Sequence, residues 1–343
     1  MKKKILLVLT GGTICSFKGE GDKLNSCTNE AKRLIIEKFR SSGSAFCDAV
    51  FEEAQVLDVL SENMTLSKWD VLLSFFKGIK NPQDYKGVII LHGTDTLAYT
   101  ASLLSLTLGS LGLPVCLVSS QLALWEDNAN GNENFKTAVE LVMNGVEPNV
   151  YVPYRNSDGK MYIHYGSCLK QCGIYSEDFF SKNSVEIGSD ASSFKGTVFA
   201  SECDVLKNIN GISGGVLKIT PYVGLDYDVF SLWDVQAVVH GTYHSETACA
   251  EIKEENDVIT NFSVLRFIVK CKKNKIPFII EPCSENAYRY ASTGELLKRG
   301  AVPIWGMTSE MTYVKTLLGV SMGLSGENLI EFLKRNINNE FVY

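Results

Sequence analysis

The chain has 343 residues, of which 45% are hydrophobic and 21% charged, and its formal net charge at pH 7 is −6. These values are typical of a globular protein, and the length fits one large or two medium α/β domains. The acidic balance argues against a general nucleic-acid-binding protein, which usually has a surplus of basic residues. No apolar run approaches the length of a membrane span, so we expect no membrane partner.

The first predicted strand follows three lysines and covers the short apolar run from Ile5 to Leu9. This run is too short for the hydrophobic region of a secretory signal, which favours a buried strand over a targeting segment. The ten cysteines contain no CxxC pair, and scattered cysteines in a chain of this size indicate reduced, mostly buried thiols. We therefore expect a cytoplasmic protein.

Along the rest of the chain, short continuous apolar runs alternate with longer helical patterns. The predicted strands cover residues 4–9, 88–91, 115–119, 150–153, 216–220, 235–239, 276–280 and 302–305. The predicted helices cover residues 66–78, 97–108, 134–144, 262–273, 291–299 and 327–335. This alternation predicts an α/β fold with mostly parallel sheets covered on both faces, and the continuous apolar character of the strands agrees with it.

The alternation weakens between about residues 181 and 215, where Ser, Asn, Asp and Gly are frequent. Such a stretch is typical of a connection between domains. We predict two α/β domains: a larger N-terminal domain at residues 1–190, a linker at 191–213 and a smaller C-terminal domain at 214–343.

Polar, hydroxyl-rich clusters follow the strands predicted in the first domain. They are TGGTI at residues 10–14, SENMT at 61–65 (after the segment FEEAQVLDVL), HGTDT at 92–96 and SSQ at 119–121. Each cluster alone is most simply a turn or a helix cap. Ligands bind outside the carboxyl ends of the strands in open parallel sheets, so the four clusters together predict a reaction site.

The chemistry of this predicted site depends on hydroxyl groups. Thr13 follows two glycines, which allow a sharp turn and close approach of a ligand. A threonine hydroxyl is a poor nucleophile unless a base removes its proton. Thr94 and Asp95 supply a second hydroxyl beside a carboxylate, and a lysine of lowered pKa could complete a proton relay. The segment TGGTICSFKGEG lacks the spacing and the closing Lys-Ser/Thr of a phosphate-binding loop.

The clusters TGGTI and HGTDT resemble the paired signatures of bacterial-type L-asparaginases, closest to the cytoplasmic type I branch. SENMT resembles the substrate-binding loop of that family, and LPVCLVSSQ resembles its next active-site strand. PFIIEPC and ASTGELLKRGAVPIWGMTSEMTYVKTLLG resemble its C-terminal domain more loosely. The resemblance implies two α/β domains, a small-molecule amino-acid substrate, no cofactor, and active sites formed between subunits of a homodimer or homotetramer.

The resemblance also assigns catalytic roles. It implies that Thr13 attacks the side-chain amide carbon of asparagine, releases ammonia and forms an acyl-enzyme that water then cleaves. It further implies a second catalytic triad made of Thr94, Asp95 and a lysine. That lysine falls in the segment YGSCLKQCGIYSEDFFSKN, as Lys170.

Substrate-binding roles are implied in the same way. Ser61, Glu62 and Asp95 would hold the α-amino and α-carboxylate groups of the substrate, since carboxylates favour the ammonium and backbone N–H groups suit the carboxylate. Ser120 would face the amide. Thr94 would contact the substrate, and its backbone N–H could stabilise the oxyanion.

One feature of the family is missing from this sequence. The family usually places a tyrosine on a mobile lid shortly after the nucleophile, but residues 15–27, CSFKGEGDKLNSC, contain no tyrosine. We predict that a hydroxyl, water or amine from outside this stretch reaches Thr13. Tyr243, in HGTYHSETA, is the candidate, and it could come from a second subunit.

One cysteine and two histidines in the second half are candidates for further sites. Cys283, in EPCSE, corresponds to the cysteine of an allosteric asparagine site in the cytoplasmic branch, but Gly241 stands where an arginine is expected. A buried thiol is the simpler interpretation of Cys283. His240 and His244 are four residues apart, a spacing that converges on a helix but not at the end of a strand, so we predict no metal site.

Three functions remain open from the sequence, with an asparaginase as the leading one. The second is a related amidase, either a glutaminase or the amide-hydrolysing subunit of a tRNA-dependent amidotransferase. Those subunits usually carry an additional N-terminal domain, whereas Thr10 here directly follows the first predicted strand. The third is a catalytically silent amino-acid sensor, which only the missing tyrosine supports.

Overall fold

The computed structural model describes residues 3–18, 24–26, 28–188, 191–199, 205–253, 258–285 and 290–341. The chain divides into two compact units, of which the first comprises Met1–Leu206 and Ile337–Asn339 and the second comprises Lys207–Asn336 and Glu340–Tyr343. The division between Leu206 and Lys207 falls within the segment 191–213 that the sequence predicts as a linker.

The first unit contains strands and helices in alternation, as the sequence predicts. In chain order they are β1 (Lys4–Gly11), β2 (Ser16–Lys18), β3 (Leu24–Ser26), α1 (Thr28–Arg40), β4 (Phe51–Val59), α2 (Leu66–Lys77), β5 (Tyr85–Leu91), α3 (Leu97–Thr107), β6 (Val115–Val118), α4 (Gly131–Met143), β7 (Val150–Arg155), β8 (Met161–Tyr165) and β9 (Val185–Ile187).

Seven of these strands form one sheet in the order β4-β1-β5-β6-β7-β8-β9. The pairs from β4 through β7 are parallel, and the pairs β7–β8 and β8–β9 are antiparallel. Strands β2 and β3 pair separately as an antiparallel hairpin. Because β1, β4, β5 and β6 run in the same direction, the loops after all four strands lie at the same edge of the sheet.

The sheet is buried because helices pack against it. Residues Ile5, Leu7 and Leu9 of β1 belong to the same core cluster as Phe39 of α1 and Phe135 of α4. The rings of Phe39 and Phe135 meet edge to face, with centroids 5.8 Å apart. Helix α3 is apolar and almost wholly buried, which explains why the strands read as continuous apolar runs.

The second unit also follows the α/β pattern. Helix α5 (Val205–Asn208) spans the division, and the elements that follow are β10 (Val216–Ile219), β11 (Ala237–Gly241), β12 (Ile252–Lys253), β13 (Val258–Ile259), α6 (Val264–Lys273), β14 (Phe278–Cys283), α7 (Ala291–Arg299), β15 (Ala301–Trp305), α8 (Ser309–Ser321) and α9 (Gly326–Lys334). Strands β10-β11-β14-β15 form a parallel sheet in that order, and β12 pairs with β13 in an antiparallel ribbon. The predicted α/β class with mostly parallel sheets is confirmed.

Two observations on the described residues bear on the expectations about thiols and membranes. Eight cysteines lie in the described part of the chain, and all eight are free thiols. Within the same residues, no helix is both long enough and apolar enough to cross a membrane.

Candidate active site

The turn that carries Thr13 is fixed by backbone hydrogen bonds at the edge of the first sheet. Gly12 N–H donates to the carbonyl of Val59, at the end of β4, over 2.8 Å, and Cys15 N–H donates to the Gly12 carbonyl over 2.9 Å. The Thr10 hydroxyl donates to the carbonyl of Leu91, at the end of β5, over 2.8 Å. Thr13 then begins a single 3-10 turn and is half-buried. The loop after β1 is therefore tied to both neighbouring strands.

Only glycine fits at position 12. Its φ of +87° lies in the left-handed region, which side chains rarely adopt. A β-carbon on Gly12 would lie 2.3 Å from both the α-carbon and the nitrogen of Gly93, in the loop after β5. The backbones of the two signature loops are thus in direct contact, and this contact brings the segment of Thr13 beside the segment of Thr94 and Asp95.

Ser61 joins the same contact from the loop after β4. Its hydroxyl accepts a hydrogen bond from Asp95 N–H over 3.1 Å and donates to a carboxylate oxygen of Asp95 over 3.0 Å. The Thr96 hydroxyl donates to the Ser61 carbonyl over 2.9 Å, and a β-carbon on Gly93 would lie 2.4 Å from the Ser61 hydroxyl oxygen. Ser61 is buried while the adjacent Glu62 is exposed, so only the first of these two residues is locked in place.

Ser120, after β6, is held within its own loop. Its hydroxyl donates to the Leu122 carbonyl over 2.5 Å and accepts from the N–H of Gly131, the first residue of α4, over 3.1 Å. Gly131 has room for no side chain, because a β-carbon there would lie 2.6 Å from the Ser120 β-carbon. These bonds fix the start of α4. They also use the donor and one acceptor position of the Ser120 hydroxyl, the group that the resemblance expects to face the substrate amide.

His92, the first residue of the HGTDT cluster, is fully buried. Its Nδ1 lies 2.7 Å from the Gly93 carbonyl oxygen, and since a carbonyl only accepts, Nδ1 carries the proton of the neutral ring. Burial lowers the pKa of His92 to about 4, against weaker opposing effects of that bond and of Asp95. A neutral, buried imidazole of this kind supports the loop and does not serve as a proton carrier at neutral pH.

A cavity of ≈ 370 Å³ opens beside Thr94 and Asp95. The segment after β8 forms much of its wall, including Gln171, Cys172 and Tyr175. The Gln171 amide donates from Nε2 to the Thr94 carbonyl over 2.8 Å, and its Oε1 accepts from Ala98 N–H over 3.2 Å. The sequence did not single out Gln171, although it directly follows Lys170.

Lys170 itself has an exposed side chain. Its backbone N–H donates to the Phe180 carbonyl over 3.0 Å as part of an isolated antiparallel bridge. Successive side chains of an extended segment point to opposite sides, so the inward side chain of Gln171 accompanies an outward side chain of Lys170. Lys170 is therefore adjacent in sequence to a residue of the site, but the side chain that contacts Thr94 is that of Gln171.

Two other residues of this segment carry groups that could take part in chemistry. Burial raises the pKa of the Cys172 thiol, and the charge of Asp95 adds to the effect, so the thiol stays protonated at neutral pH and is a poor nucleophile. Tyr175 is fully exposed and has a φ of +60°. Tyr175 lines the cavity and lies outside residues 15–27, so its hydroxyl is of the kind that the sequence analysis predicts to reach Thr13.

Three residues that the sequence analysis discusses as further candidates lie in the second unit, two of them buried and one partly exposed. Cys283 is buried, its thiol donates to the Ile280 carbonyl over 3.5 Å, and burial raises its pKa to about 12. His240 is buried and its Nε2 lies 2.8 Å from the Tyr227 hydroxyl. Tyr243 is 38% exposed, in a turn closed by its N–H donating to the Thr247 carbonyl. An allosteric role of Cys283 and a catalytic role of Tyr243 stay predictions.

Comparisons with known proteins agree with the sequence signatures. Residues 4–192 match the family model described as Asparaginase, N-terminal. L-asparaginase 1 of Escherichia coli (strain K12) is 34% identical over 145 residues, which are 42% of this chain and 41% of that protein, so the match spans less than half of that relative. A glutamyl-tRNA(Gln) amidotransferase component of Methanosphaera stadtmanae is 24% identical over 365 residues, covering 99% of this chain and 77% of that protein.

Solved structures with the same fold were also found. The thermostable L-asparaginase from Thermococcus kodakarensis has a TM-score of 0.71 at 22% identity, with 99% of both chains covered. L-asparaginase I from Vibrio cholerae O1 biovar eltor has a TM-score of 0.74 at 20% identity over the full length of both chains. The likeness in structure extends over the whole chain, and the family model spans more than half of it. This chain belongs to the asparaginase family.

Proposed function

We propose that this chain hydrolyses the side-chain amide of L-asparagine to L-aspartate and ammonia through an acyl ester on Thr13. The observation that carries the proposal is the backbone contact between Gly12 and Gly93. It supports a single site in which Thr13 faces the loop of Thr94 and Asp95.

The first step forms the ester. The Thr13 oxygen attacks the amide carbon of the substrate, its proton passes to a base, and the carbonyl oxygen becomes a tetrahedral oxyanion. The Thr94 backbone N–H is the donor proposed for this oxyanion, since a fixed N–H aimed at developing charge lowers the barrier. When the intermediate collapses, the C–N bond breaks and the nitrogen leaves as ammonia after taking up a proton.

The second step regenerates the enzyme. A water molecule attacks the ester carbon, the C–O bond to Thr13 breaks, and the hydroxyl proton returns to Thr13. Thr94, Asp95 and Lys170 form the relay that carries protons in both steps. Because the Lys170 side chain is exposed, this role requires it to turn toward Thr94 when the substrate is bound.

Substrate binding uses the charged groups at the same edge. Asp95 and Glu62 bind the α-ammonium, and Ser61 contributes by holding the Asp95 carboxylate in one orientation. The turn at Ser61 supplies backbone N–H groups for the α-carboxylate, and Ser120 lies on the side of the amide. We further propose a cytoplasmic homodimer or homotetramer, in which Tyr243 of a second subunit could assist Thr13.

A related amidase activity is the alternative, and one observation favours it. The amidotransferase component from Methanosphaera stadtmanae matches 99% of this chain, whereas the relative from Escherichia coli matches 42% of it. Glutamine is longer than asparagine by one methylene, a difference that a binding pocket discriminates by about 1–3 kcal/mol. The two substrates must therefore be compared directly.

The test is an ammonia-release assay with asparagine and with glutamine over a wide range of concentrations, with Thr13→Ala as the negative control. We expect saturable release from asparagine, abolished in the variant. Preference for glutamine would instead support the related amidase. If the purified chain binds an amino acid but releases no ammonia from either, the silent-sensor alternative replaces the proposal.

A further inference from the structure

We propose that Gln171 is a positioning residue that fixes the peptide group between Thr94 and Asp95, and this inference rests on the function proposed above. The carbonyl of Thr94 and the N–H of Asp95 belong to one planar peptide group. Gln171 Nε2 donates to that carbonyl over 2.8 Å, and the Ser61 hydroxyl accepts from that N–H over 3.1 Å. The peptide is thus held at both of its polar ends.

Holding both ends determines where the two side chains point. The Thr94 and Asp95 side chains leave the backbone on either side of this peptide, so rotation of its plane would move both groups relative to Thr13. Ser61 prevents part of this rotation, but it also binds the Asp95 carboxylate and cannot hold the carbonyl end. The Thr94 carbonyl also accepts a longer hydrogen bond from Leu97 N–H over 3.3 Å, and Gln171 adds the shorter bond, the one to this carbonyl that a side chain makes.

The second hydrogen bond of Gln171 explains why a glutamine is required. Ala98 N–H lies in the first turn of α3, where backbone N–H groups have no acceptor within the helix. Thr96, the cap residue of α3, makes no side-chain capping bond, and its hydroxyl instead donates to the Ser61 carbonyl. The Gln171 Oε1 is the acceptor for Ala98 N–H. One side chain therefore needs a donor and an acceptor together, which a side-chain amide provides and a lysine or a glutamate does not.

The direction of Gln171 also distinguishes it from Lys170. Gln171 lines the cavity beside Asp95, while the preceding Lys170 side chain is exposed. The Gln171 amide neither gains nor loses a proton near neutral pH. It therefore acts through Thr94 and not as a member of the proton relay.

The test compares two substitutions that remove different parts of the amide. Gln171→Met keeps the length but loses the bonds with Thr94 and Ala98, together with the one that Nε2 donates to the Cys172 sulfur over 3.2 Å. Gln171→Glu keeps an acceptor for Ala98 N–H but cannot donate to the Thr94 carbonyl. We expect kcat for asparagine to fall about 10- to 100-fold in both, the scale of a displaced catalytic group. In Gln171→Met, the pH at which kcat is half-maximal should not move, because neither glutamine nor methionine titrates.

Hydrogen exchange provides a readout that does not depend on activity. We expect exchange of Ala98 N–H to accelerate by about tenfold or more in Gln171→Met, since its acceptor is gone, and to stay near the wild-type rate in Gln171→Glu. A role limited to capping α3 predicts the opposite for activity: normal kcat in Gln171→Glu. That result, or wild-type kcat in Gln171→Met, would overturn the proposal.

Asn156, which binds a residue of the cavity wall, offers a matched control. Asn156 is buried, and its amide makes one donated and one accepted bond to the backbone of Phe179, also at the cavity wall. Asn156→Leu should lower thermal stability and leave kcat within about threefold of wild type, as expected for a site away from the reacting groups. If the wild-type chain releases no ammonia at all, the proposed function fails, and unchanged Ala98 exchange in Gln171→Met would separately refute the role of Gln171.

Discussion

A side chain on Gly12 would lie 2.3 Å from the α-carbon of Gly93, so the two signature loops of this chain are in backbone contact. No side chain can be inserted between them without moving one loop away from the other. The proposed nucleophile and the proposed relay therefore depend on a pair of glycines, neither of which carries any chemistry of its own.

Gly12→Ala should separate the two loops. The added β-carbon meets the Gly93 backbone, so we expect ammonia release to fall by about 100-fold or more, as for a misplaced catalytic group. Gly159→Ala is the matched control, because Gly159 has a similar φ of +80° but nothing within 4 Å of an added β-carbon. It should cost about 1–2 kcal/mol in free energy of unfolding through backbone strain and retain activity. Equal activities in the two variants would contradict the importance of the contact.

Ser61→Ala should weaken substrate binding. The hydroxyl donates to the Asp95 carboxylate, and hydrogen bonds to charged groups contribute about 1.5–3 kcal/mol. We therefore expect KM for asparagine to rise about 10- to 100-fold. Ser67→Ala is the control, since the Ser67 hydroxyl pairs only on the exposed surface with Thr65. A KM equal to that of the control would show that Ser61 does not orient Asp95.

Buried histidines should make the protein less stable in mild acid. Burial lowers the pKa of His92, His164 and His240 to about 4. Between about pH 6.5 and pH 4 the unfolded chain binds protons at these rings that the folded chain does not bind, so the free energy of unfolding falls as the pH falls through this window.

His164→Asn isolates one of these protons away from the proposed catalytic groups, because His164 contacts the Ser181 hydroxyl on the β8 side of the sheet. In urea titrations, the loss of unfolding free energy between about pH 7 and pH 5 should be smaller in the variant by about 2 kcal/mol. The ring protons of His164 should show no titration shift over the same range in wild type. An identical pH dependence in both proteins would mean that His164 is protonated in the folded state.

Lys170→Met tests the relay proposed from the resemblance. If the Lys170 amine turns toward Thr94 on substrate binding, its removal should lower kcat by about 10²-fold or more, and combining it with Thr94→Val should add little. Lys182→Met, on the same stretch of chain after β8, serves as the control. Normal kcat in Lys170→Met would remove Lys170 from the mechanism and leave Gln171 as the contact of this segment with Thr94.

The central strands of the first sheet could be predicted from the sequence because they are buried on both faces and read as continuous apolar runs. The predicted strand at residues 88–91 ends where β5 ends, and the predicted helix at 97–108 matches α3 closely. Elements at the edges were missed. Helix α1 (Thr28–Arg40) was not predicted, because charged residues separate the apolar residues Ala31, Ile35 and Phe39 that form its buried face. Strand β8 (Met161–Tyr165) follows β7 after a short turn that was not predicted either.

The residues of the candidate site also fall into two groups, those that the sequence identified and those that it missed. Strand topology alone brings the loops of Thr13, Ser61 and Thr94 to one edge, so these residues could be chosen from their place after apolar runs. Gln171 could not, because its partner Thr94 is 77 positions away and depends on which side chain of an extended segment faces inward. The resemblance to the asparaginase family pointed instead to the neighbouring Lys170, as the lysine of the second catalytic triad.

The role of Thr13 as the nucleophile is best tested by ammonia release from asparagine by wild type, Thr13→Ser and Thr13→Ala, with aspartate binding measured in parallel. Thr13→Ser keeps a hydroxyl and should retain part of the activity. Thr13→Ala should bind aspartate with nearly wild-type affinity while its kcat falls by several orders of magnitude, because no ester can form. Turnover by Thr13→Ala at a rate close to that of wild type would show that Thr13 is not the nucleophile.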